Sequence, residues 1–334
     1  MTIRFKSLLT FAGAAALSAG SFSALVSDAN AQWQPTQPVE FIIMAGTGGG
    51  ADQLARYVQA LIEQKDLSPV PFIPINKGGG SGAEALRYME DNAGDNHKIL
   101  VTLNSFYTTP LLQEDLGVDV STFTPIGLMG IDTFLLWVTA DSPITTLDEY
   151  AAAVSAAGGS WIMGGTGSGQ EDSILTAMLE AEFGFDVTYV PFPGGGTVAA
   201  ELIGEHINST VNNPAEQNEY YRAGQSKPLV QFTEERTEAY PDIPTARELG
   251  HDIVYYMQRS INGPPGMDPE AQQFYTDLFG AIFASDEWQE YCSSEGLGCD
   301  EYLAGDDLAA FHAAQLERHR ALIEEVGAAA ITGE

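Results

Sequence analysis

Apolar positions along the chain follow two alternating spacings, and together they predict an α/β fold. Short, mostly apolar runs predict strands, the first of which covers residues 38–44. Apolar residues three or four positions apart predict helices, the first of which covers residues 51–64. Because the two kinds of segment alternate, the sequence predicts mostly parallel sheets covered by helices.

Later segments repeat one order: a strand, a glycine-rich loop and a helix. Further strands are predicted at residues 71–76, 98–103, 134–139, 161–163, 187–190, 206–211, 229–232 and, as an extended segment, 253–261. Further helices are predicted at residues 83–92, 146–157, 171–183, 198–203, 269–284, 286–295 and 306–326. The last three helices must pack against another part of the protein, and the simplest arrangement packs them against the first half of the chain.

This repetition predicts two α/β lobes with a cleft between them. We assign residues 32–132 and 260–334 to the first lobe and residues 133–259 to the second. Two crossings, near residues 131–140 and 254–262, would join the lobes.

Four glycine-rich loops stand between a strand end and a helix start. Glycine lets a ligand approach the main chain closely, and a helix N-terminus offers unpaired N–H groups and a positive dipole end. Such loops bind anions without a basic side chain, and in open α/β sheets they lie where ligands bind. The four loops are residues 46–50, 78–82, 164–169 and 194–196.

The N-terminal residues predict export. Arg4 and Lys6 precede an apolar run at residues 8–17, and residues 29–31 supply the small-x-small pattern of a signal-peptidase site. The run is shorter than the roughly 20 residues of a membrane-spanning helix, and no later segment is long and apolar enough. We therefore expect residues 1–31 to be a cleaved signal peptide and the mature protein to be periplasmic. The alternative is a buried N-terminal helix.

Charge and cysteine content restrict the partners. The formal net charge of −32 disfavours nucleic acid and anionic lipid heads. If the ligand is an anion, the overall field opposes its approach, so local donors must hold it. Cys292 and Cys299 are the only cysteines, and in an exported chain a disulfide between them is favoured. The histidines show no metal-ligand spacing, and His312 and His319 on the last long helix are interpreted as surface or packing residues. We expect no metal and no cofactor.

Two enzyme classes fit the motifs poorly. Residues 46–51 match a loose dinucleotide-binding pattern, but the second strand ends at residues 75–77 without the acid that would hold a ribose. A serine nucleophile elbow needs glycines two residues before and two residues after the serine. Ser81 has Ala83 at the second of these positions, and Ser168 has a glycine at neither. The sequence therefore predicts a binding protein rather than an enzyme.

In order and spacing, the segments resemble the solute receptors of tripartite tricarboxylate transporters, the TctC or Bug family. The resemblance covers residues 35–327, although no single motif is distinctive. The segments that carry it are PVEFIIMAGTGGGADQLAR, FIPINKGGGSGAEALRYM, ILVTLNSF, WIMGGTGSGQEDSIL, YVPFPGGGTVAAELIGEHIN, PDIPTARELG and MQRSINGPPGMDPE.

The resemblance implies a type II periplasmic-binding fold that closes on a small carboxylate, a di- or tricarboxylate or an aromatic acid. It also implies delivery of that ligand to the membrane subunits of a transporter by a monomer. Asp52 is expected to order the first loop, or else to be a surface acid at a helix start. Carried onto this chain, the ligand-binding positions are Thr47, Gly48, Gly49 and Gly50, Thr166, Gly167, Ser168 and Gly169, and, lining the rest of the cleft, Asn104, Ser105, Gly194, Gly195, Gly196, Thr197, Asn212 and Asn213.

Three departures from the family pattern leave the ligand's identity open. Asp172-Ser173 stands where many members have Asp-His, residues 44–46 lack the usual Pro-Phe-Pro start, and residues 208–210 replace a Gln-Asp-like strand end. An extracytoplasmic sensor of the same fold, which presents its liganded face to a signalling kinase, is a second hypothesis.

Overall fold

Strands of the computed structural model, which describes residues 33–333, form two mixed sheets of five strands each. The predicted signal peptide lies outside the described residues. The strands are Val39–Ile43 (β1), Phe72–Asn76 (β2), Lys98–Val101 (β3), Thr124–Asp132 (β4), Leu135–Thr139 (β5), Ile162–Gly165 (β6), Thr188–Pro191 (β7), Ser209–Thr210 (β8), Ser226–Gln231 (β9) and Met257–Gly263 (β10).

Helices cover these sheets, as the spacing of apolar residues predicts. In α1, for example, Leu54, Val58 and Leu61 are buried along one face. The helices are Gly50–Gln64 (α1), Ala83–Asp91 (α2), Ser105–Leu112 (α3), Leu147–Ala157 (α4), Glu171–Phe183 (α5), Gly195–Ile203 (α6), Pro214–Arg222 (α7), Pro269–Phe283 (α8), Asp286–Glu295 (α9), Gly305–Val326 (α10) and Ala328–Thr332 (α11). None of the helices within residues 33–333 is both long and apolar enough to cross a bilayer.

The strand order confirms two mostly parallel α/β lobes. The first sheet runs β2-β1-β3-β10-β4 and the second β7-β6-β8-β5-β9. In each sheet one strand opposes its neighbours: β10 is antiparallel to β3 and β4, and β5 is antiparallel to β8 and β9. These two strands are the ones that directly follow the crossings, so the chain reverses direction each time it changes lobe.

The second crossing corrects one predicted boundary. Residues 257–259 were assigned to the second lobe, but β10 pairs with β4 from its first residue, Met257 opposite Asp132. The sequence reads as extended from residue 253 onward, and no turn residue marks the passage between sheets. The rest of the division into lobes stays a prediction.

Strand β4 is absent from the predicted elements because two glycines interrupt its apolar run. Both glycines are needed for packing. A Cβ on Gly127 would lie 2.4 Å from the Tyr302 hydroxyl, and one on Gly130 would lie 2.7 Å from the Leu297 side chain. These neighbours belong to the C-terminal region, whose helices α8 and α10 contact β4 of the first sheet. That the last three helices cover the first lobe stays a prediction.

A disulfide joins Cys292 of α9 to Cys299, whose neighbour Gly298 pairs with Ile131 at the edge of the first sheet. Replacing both cysteines by alanine should lower the free energy of unfolding by about 2–3 kcal/mol, because the open loop gains chain entropy on unfolding. Urea denaturation measures the difference. Reductant should lower the stability of the wild type by the same amount as the double replacement and should not change the variant. Equal denaturation midpoints for the two proteins without reductant would contradict the prediction.

Candidate functional site

Glycine loops from the two lobes touch across the cleft. A Cβ on Gly46, in the first lobe, would lie 2.2 Å from the carbonyl oxygen of Pro193 in the second. A Cβ on Gly196 would lie 2.7 Å from the carbonyl oxygen of Gly48. Neither distance is possible for a real Cβ, so this approach of two main chains requires glycine on both sides.

Side chains fasten the same contact. Ser81 donates its hydroxyl proton to the Ser168 carbonyl across 2.6 Å, and Thr108 donates to the Gly169 carbonyl across 3.0 Å. Between the loops lies a cavity of about 30 Å³, room for roughly one water molecule. A ligand can therefore enter only while the lobes are apart. The main-chain segments that line the cavity include residues 45–46, 49–51 and 193–195.

Carboxyl groups of the second lobe accept hydrogen bonds from main-chain N–H groups in the cleft. Glu216 Oε1 lies 3.0 Å from the Gly50 nitrogen, and Glu171 Oε1 lies 2.6 Å from the Ser105 nitrogen. Asp172 Oδ2 lies 2.7 Å from the Thr166 nitrogen of its own loop. Several donors that the sequence assigns to a ligand anion thus already hold carboxyl groups of the protein.

Other predicted donors are used within their own loops. The Gly48 N–H donates to Asp52, which also accepts from Arg56 at 2.9 Å. The Gly167 N–H donates to Gln170 across 2.8 Å, and the Gly169 N–H donates to Ser173 across 2.9 Å. These contacts fix the shape of both loops and withdraw their N–H groups from a ligand.

Some predicted donors are engaged by no acceptor. Within residues 33–333, the main-chain N–H groups of Gly49, Gly195 and Gly196 make no hydrogen bond to the protein. Gly49 and Gly195 line the cavity, and Gly195 and Gly196 open helix α6, whose positive dipole end therefore faces the cleft. This helix start is where an added anion would find free donors.

The remaining predicted residues lie around this position. Thr47, Ser168 and Thr197 are exposed at the rim rather than in the cavity. Gly194 precedes α6 and lines the cavity. Thr47, Ser168 and Thr197 could therefore meet only a ligand that reaches the mouth of the cleft.

The three asparagines brace the main chain. Asn104 donates to the Tyr256 carbonyl at 2.6 Å, Asn212 to the Gly195 carbonyl at 3.0 Å, and Asn213 to the Thr133 carbonyl at 2.6 Å. Tyr256 and Thr133 lie in the two crossings between the sheets. Asn104 and Asn213 therefore hold the crossings.

Comparison with known proteins identifies this arrangement. Residues 54–328 match the model of the tripartite tricarboxylate transporter family receptor. The chain belongs to this family. It is thus a solute receptor and not an enzyme. A curated relative, the UPF0065 protein in the gbd 5′ region of Cupriavidus necator, is 28% identical over 316 residues, which is 95% of each chain.

Solved structures show the same fold for the receptor. The periplasmic binding protein BugD aligns with a TM-score of 0.82 at 22% identity, over 88% of this chain and 99% of its own. A Rhodopseudomonas palustris protein with adipate aligns with a TM-score of 0.80 at 22% identity, over 88% of this chain and 98% of its own. MatC from the same species, with bound malate, aligns with a TM-score of 0.79 at 21% identity, over 86% of this chain and 99% of its own. The periplasmic-binding fold expected from the sequence is confirmed.

Sequence reasoning missed the receptor's charged side chains in the cleft. Arg259 of β10 donates to Asp132 through Nε at 3.0 Å and through a terminal nitrogen, and both side chains are 1% exposed. The ion pair lies behind the first loop, since a Cβ on Gly50 would lie 2.4 Å from the Arg259 guanidinium. An arginine within a wholly buried strand, in a chain with few basic residues, was the available signal. No group of three potential metal ligands occurs among the described residues.

Burial changes the proton affinity of the receptor's cleft acids. Desolvation raises the pKa of Asp172 to about 8, and the nearby Glu216 adds to the effect. Desolvation likewise raises the pKa of Glu216 to about 7 against the opposing bond from Gly50. The pKa values of Glu171 and Asp132 are also raised by burial, for Asp132 in spite of Arg259. The closed cleft therefore holds protons at neutral pH.

The receptor should consequently lose stability as the pH rises from about 5 to about 8. Asp172 and Glu216 hold protons in the folded state that the unfolded chain has released above about pH 4, so their stabilising protonation is lost as the pH passes 7 to 8. Urea denaturation between pH 5 and 8.5 measures the slope. Asp172→Asn should flatten it while Asp148→Asn, at the first turn of α4, should not; a flat wild-type profile would refute the prediction.

Proposed function

We propose that the receptor binds a small carboxylate between its lobes and delivers it to the membrane subunits of a tripartite tricarboxylate transporter. We further propose that it works in the periplasm after cleavage behind Ala31. The observation that carries the ligand class is the set of main-chain donors at helix starts in both lobes, since such donors bind anions. Glu216 and Glu171 already accept hydrogen bonds from the Gly50 and Ser105 N–H groups, which supports carboxylate as the anion that these donors fit.

Related proteins support the same class. Two structures of this fold are described with adipate and with malate, both small carboxylates. In this chain the free N–H groups of Gly49, Gly195 and Gly196 would receive the ligand carboxylate. The family's place in a three-component transporter supports the membrane partners.

Thermal stabilisation tests the ligand class. The mature protein is screened with mono-, di- and tricarboxylates, aromatic acids, amino acids, sugars and polyamines, each acid beside its primary amide as a matched control. A ligand present at 100 times its Kd adds about 2.7 kcal/mol of stability. At least one carboxylate should raise the Tm while its amide does not. A Tm raised by a sugar or polyamine alone would show that the ligand class is wrong.

The partner is tested separately by uptake. Deleting the gene from the source bacterium should abolish uptake of the carboxylate identified in the screen, and restoring it should recover transport. Normal uptake without the gene would contradict the transport role while leaving carboxylate binding intact.

A further inference from the structure

The carboxylate of Glu216 lies at the point where the glycine loops converge. Its Oε1 accepts the Gly50 N–H at 3.0 Å. A Cβ on Gly195 would lie 2.0 Å from the same oxygen, and one on Gly49 would lie 3.4 Å from it. The carboxylate is therefore held between the first loop of one lobe and the start of α6 in the other, where a ligand anion would bind.

At several helix starts around the cleft, a carboxyl group of the protein itself accepts a hydrogen bond from the main-chain N–H. The donor at the start of α1 faces Glu216, the donor at the start of α3 faces Glu171, and the loop before α5 faces Asp172. At the start of α6, the N–H groups of Gly195 and Gly196 face no acceptor of the protein within residues 33–333. The start of α6 thus has free donors for an anion from outside.

Charge favours the same conclusion. Arg259 is the only basic side chain among the residues that line the cavity, and it is already paired with Asp132. Glu171, Asp172 and Glu216 line the cavity with no cation of their own. At pH 8.5, above the pKa of about 7 of Glu216, this carboxylate is ionised, and a second ligand carboxylate would enter a small, partly desolvated space beside it, where like charges repel strongly.

We infer that Glu216 determines specificity: it takes the place of one ligand carboxylate, so that the receptor selects acids with a single carboxylate and rejects those with two. This inference rests on the proposed function and deepens it. The ligand's single carboxylate binds at the start of α6, and its other end, uncharged or cationic, faces Glu216.

Acids of equal length test the selectivity. Calorimetry at pH 8.5, where the Glu216 carboxylate is ionised, gives the Kd of butyrate, 4-aminobutyrate and succinate, and of hexanoate, 6-aminohexanoate and adipate, for the wild type and three variants. Glu216→Gln keeps the size and an acceptor for Gly50 but removes the charge. Glu216→Ala also removes the acceptor. Glu219→Gln removes an exposed carboxylate from the same helix and serves as the control.

In the wild type, the diacid of the length that binds should have a Kd about tenfold or more above that of its monoacid, a difference in specificity created by repulsion. Glu216→Gln and Glu216→Ala should reduce this ratio by about tenfold, and Glu219→Gln should not change it. A merely structural role for Glu216 would change both affinities together and leave the ratio constant.

The two proposals fail differently. A wild type that binds the diacid as tightly as the monoacid, or a ratio that the Glu216 variants leave unchanged, would overturn the role of Glu216 and leave carboxylate binding in place. If none of these acids, nor any carboxylate of the wider screen, binds the wild type or the variants, the proposed function fails and the inference fails with it.

Discussion

Replacing Gly46 by alanine should weaken binding of the receptor's carboxylate ligand about a hundredfold, which corresponds to about 2.7 kcal/mol. The new methyl group would lie 2.2 Å from the Pro193 carbonyl oxygen of the opposite lobe, so the loops cannot reach their closed contact. Because the backbone of Gly46 is not left-handed, alanine strains neither the loop nor the open form. The loss should come from a smaller closed population.

Calorimetry and small-angle scattering would measure this loss together. With saturating ligand the wild type should become more compact, and Gly46→Ala should keep the larger radius of gyration. Gly298→Ala is a matched control, since its backbone is not left-handed and its new Cβ would have no neighbour closer than 3.4 Å. Wild-type affinity in Gly46→Ala would show that the contact between Gly46 and Pro193 has no part in binding.

Replacing Arg259 by methionine should lower the free energy of unfolding by about 3–5 kcal/mol at pH 8, because it leaves the Asp132 carboxylate buried without its cation. Both side chains are 1% exposed, and the guanidinium also donates to Asn213. The loss should be smaller at pH 5, since a buried carboxyl without a partner takes up a proton instead.

A double variant separates the pair from its surroundings. Asp132→Leu combined with Arg259→Met should recover most of the stability, because an apolar pair of similar volume removes the uncompensated charge. Denaturation midpoints of the two single variants and the double variant would decide this. Single variants within about 1 kcal/mol of the wild type would contradict a structural role for the ion pair.

Periodicity predicted most of the fold because most elements follow local rules. Helix α5 and helix α9 have the predicted bounds, and the glycine loops lie at the strand ends as expected. Helix α3 was missed because its apolar residues are not confined to one face and Pro110 lies within it. Helix α7 was missed because it is polar, although Asn213, Pro214 and Glu216 form a recognisable capping box.

The candidate site was predictable only in part. The loop glycines could be recognised from the sequence, because each glycine loop lies between a predicted strand and a predicted helix. The acceptors of their N–H groups cannot be recognised in the sequence. Glu216, for example, is 166 residues from Gly50 and contacts it only because the two lobes pack together. The same holds for Arg259, which reaches Asp132 across 127 residues. Which charge faces which donor is thus decided by tertiary structure.

Amide shifts of ¹⁵N-glycine-labelled receptor test most directly whether main-chain donors between the lobes hold the ligand. During titration with the carboxylate that raises the Tm, the amides of Gly49, Gly195 and Gly196 should shift most, with a single Kd equal to the calorimetric value. If those three amides stay unchanged while glycines that do not line the cleft, such as Gly158 or Gly184, shift instead, the ligand binds elsewhere and the account of the cleft is wrong.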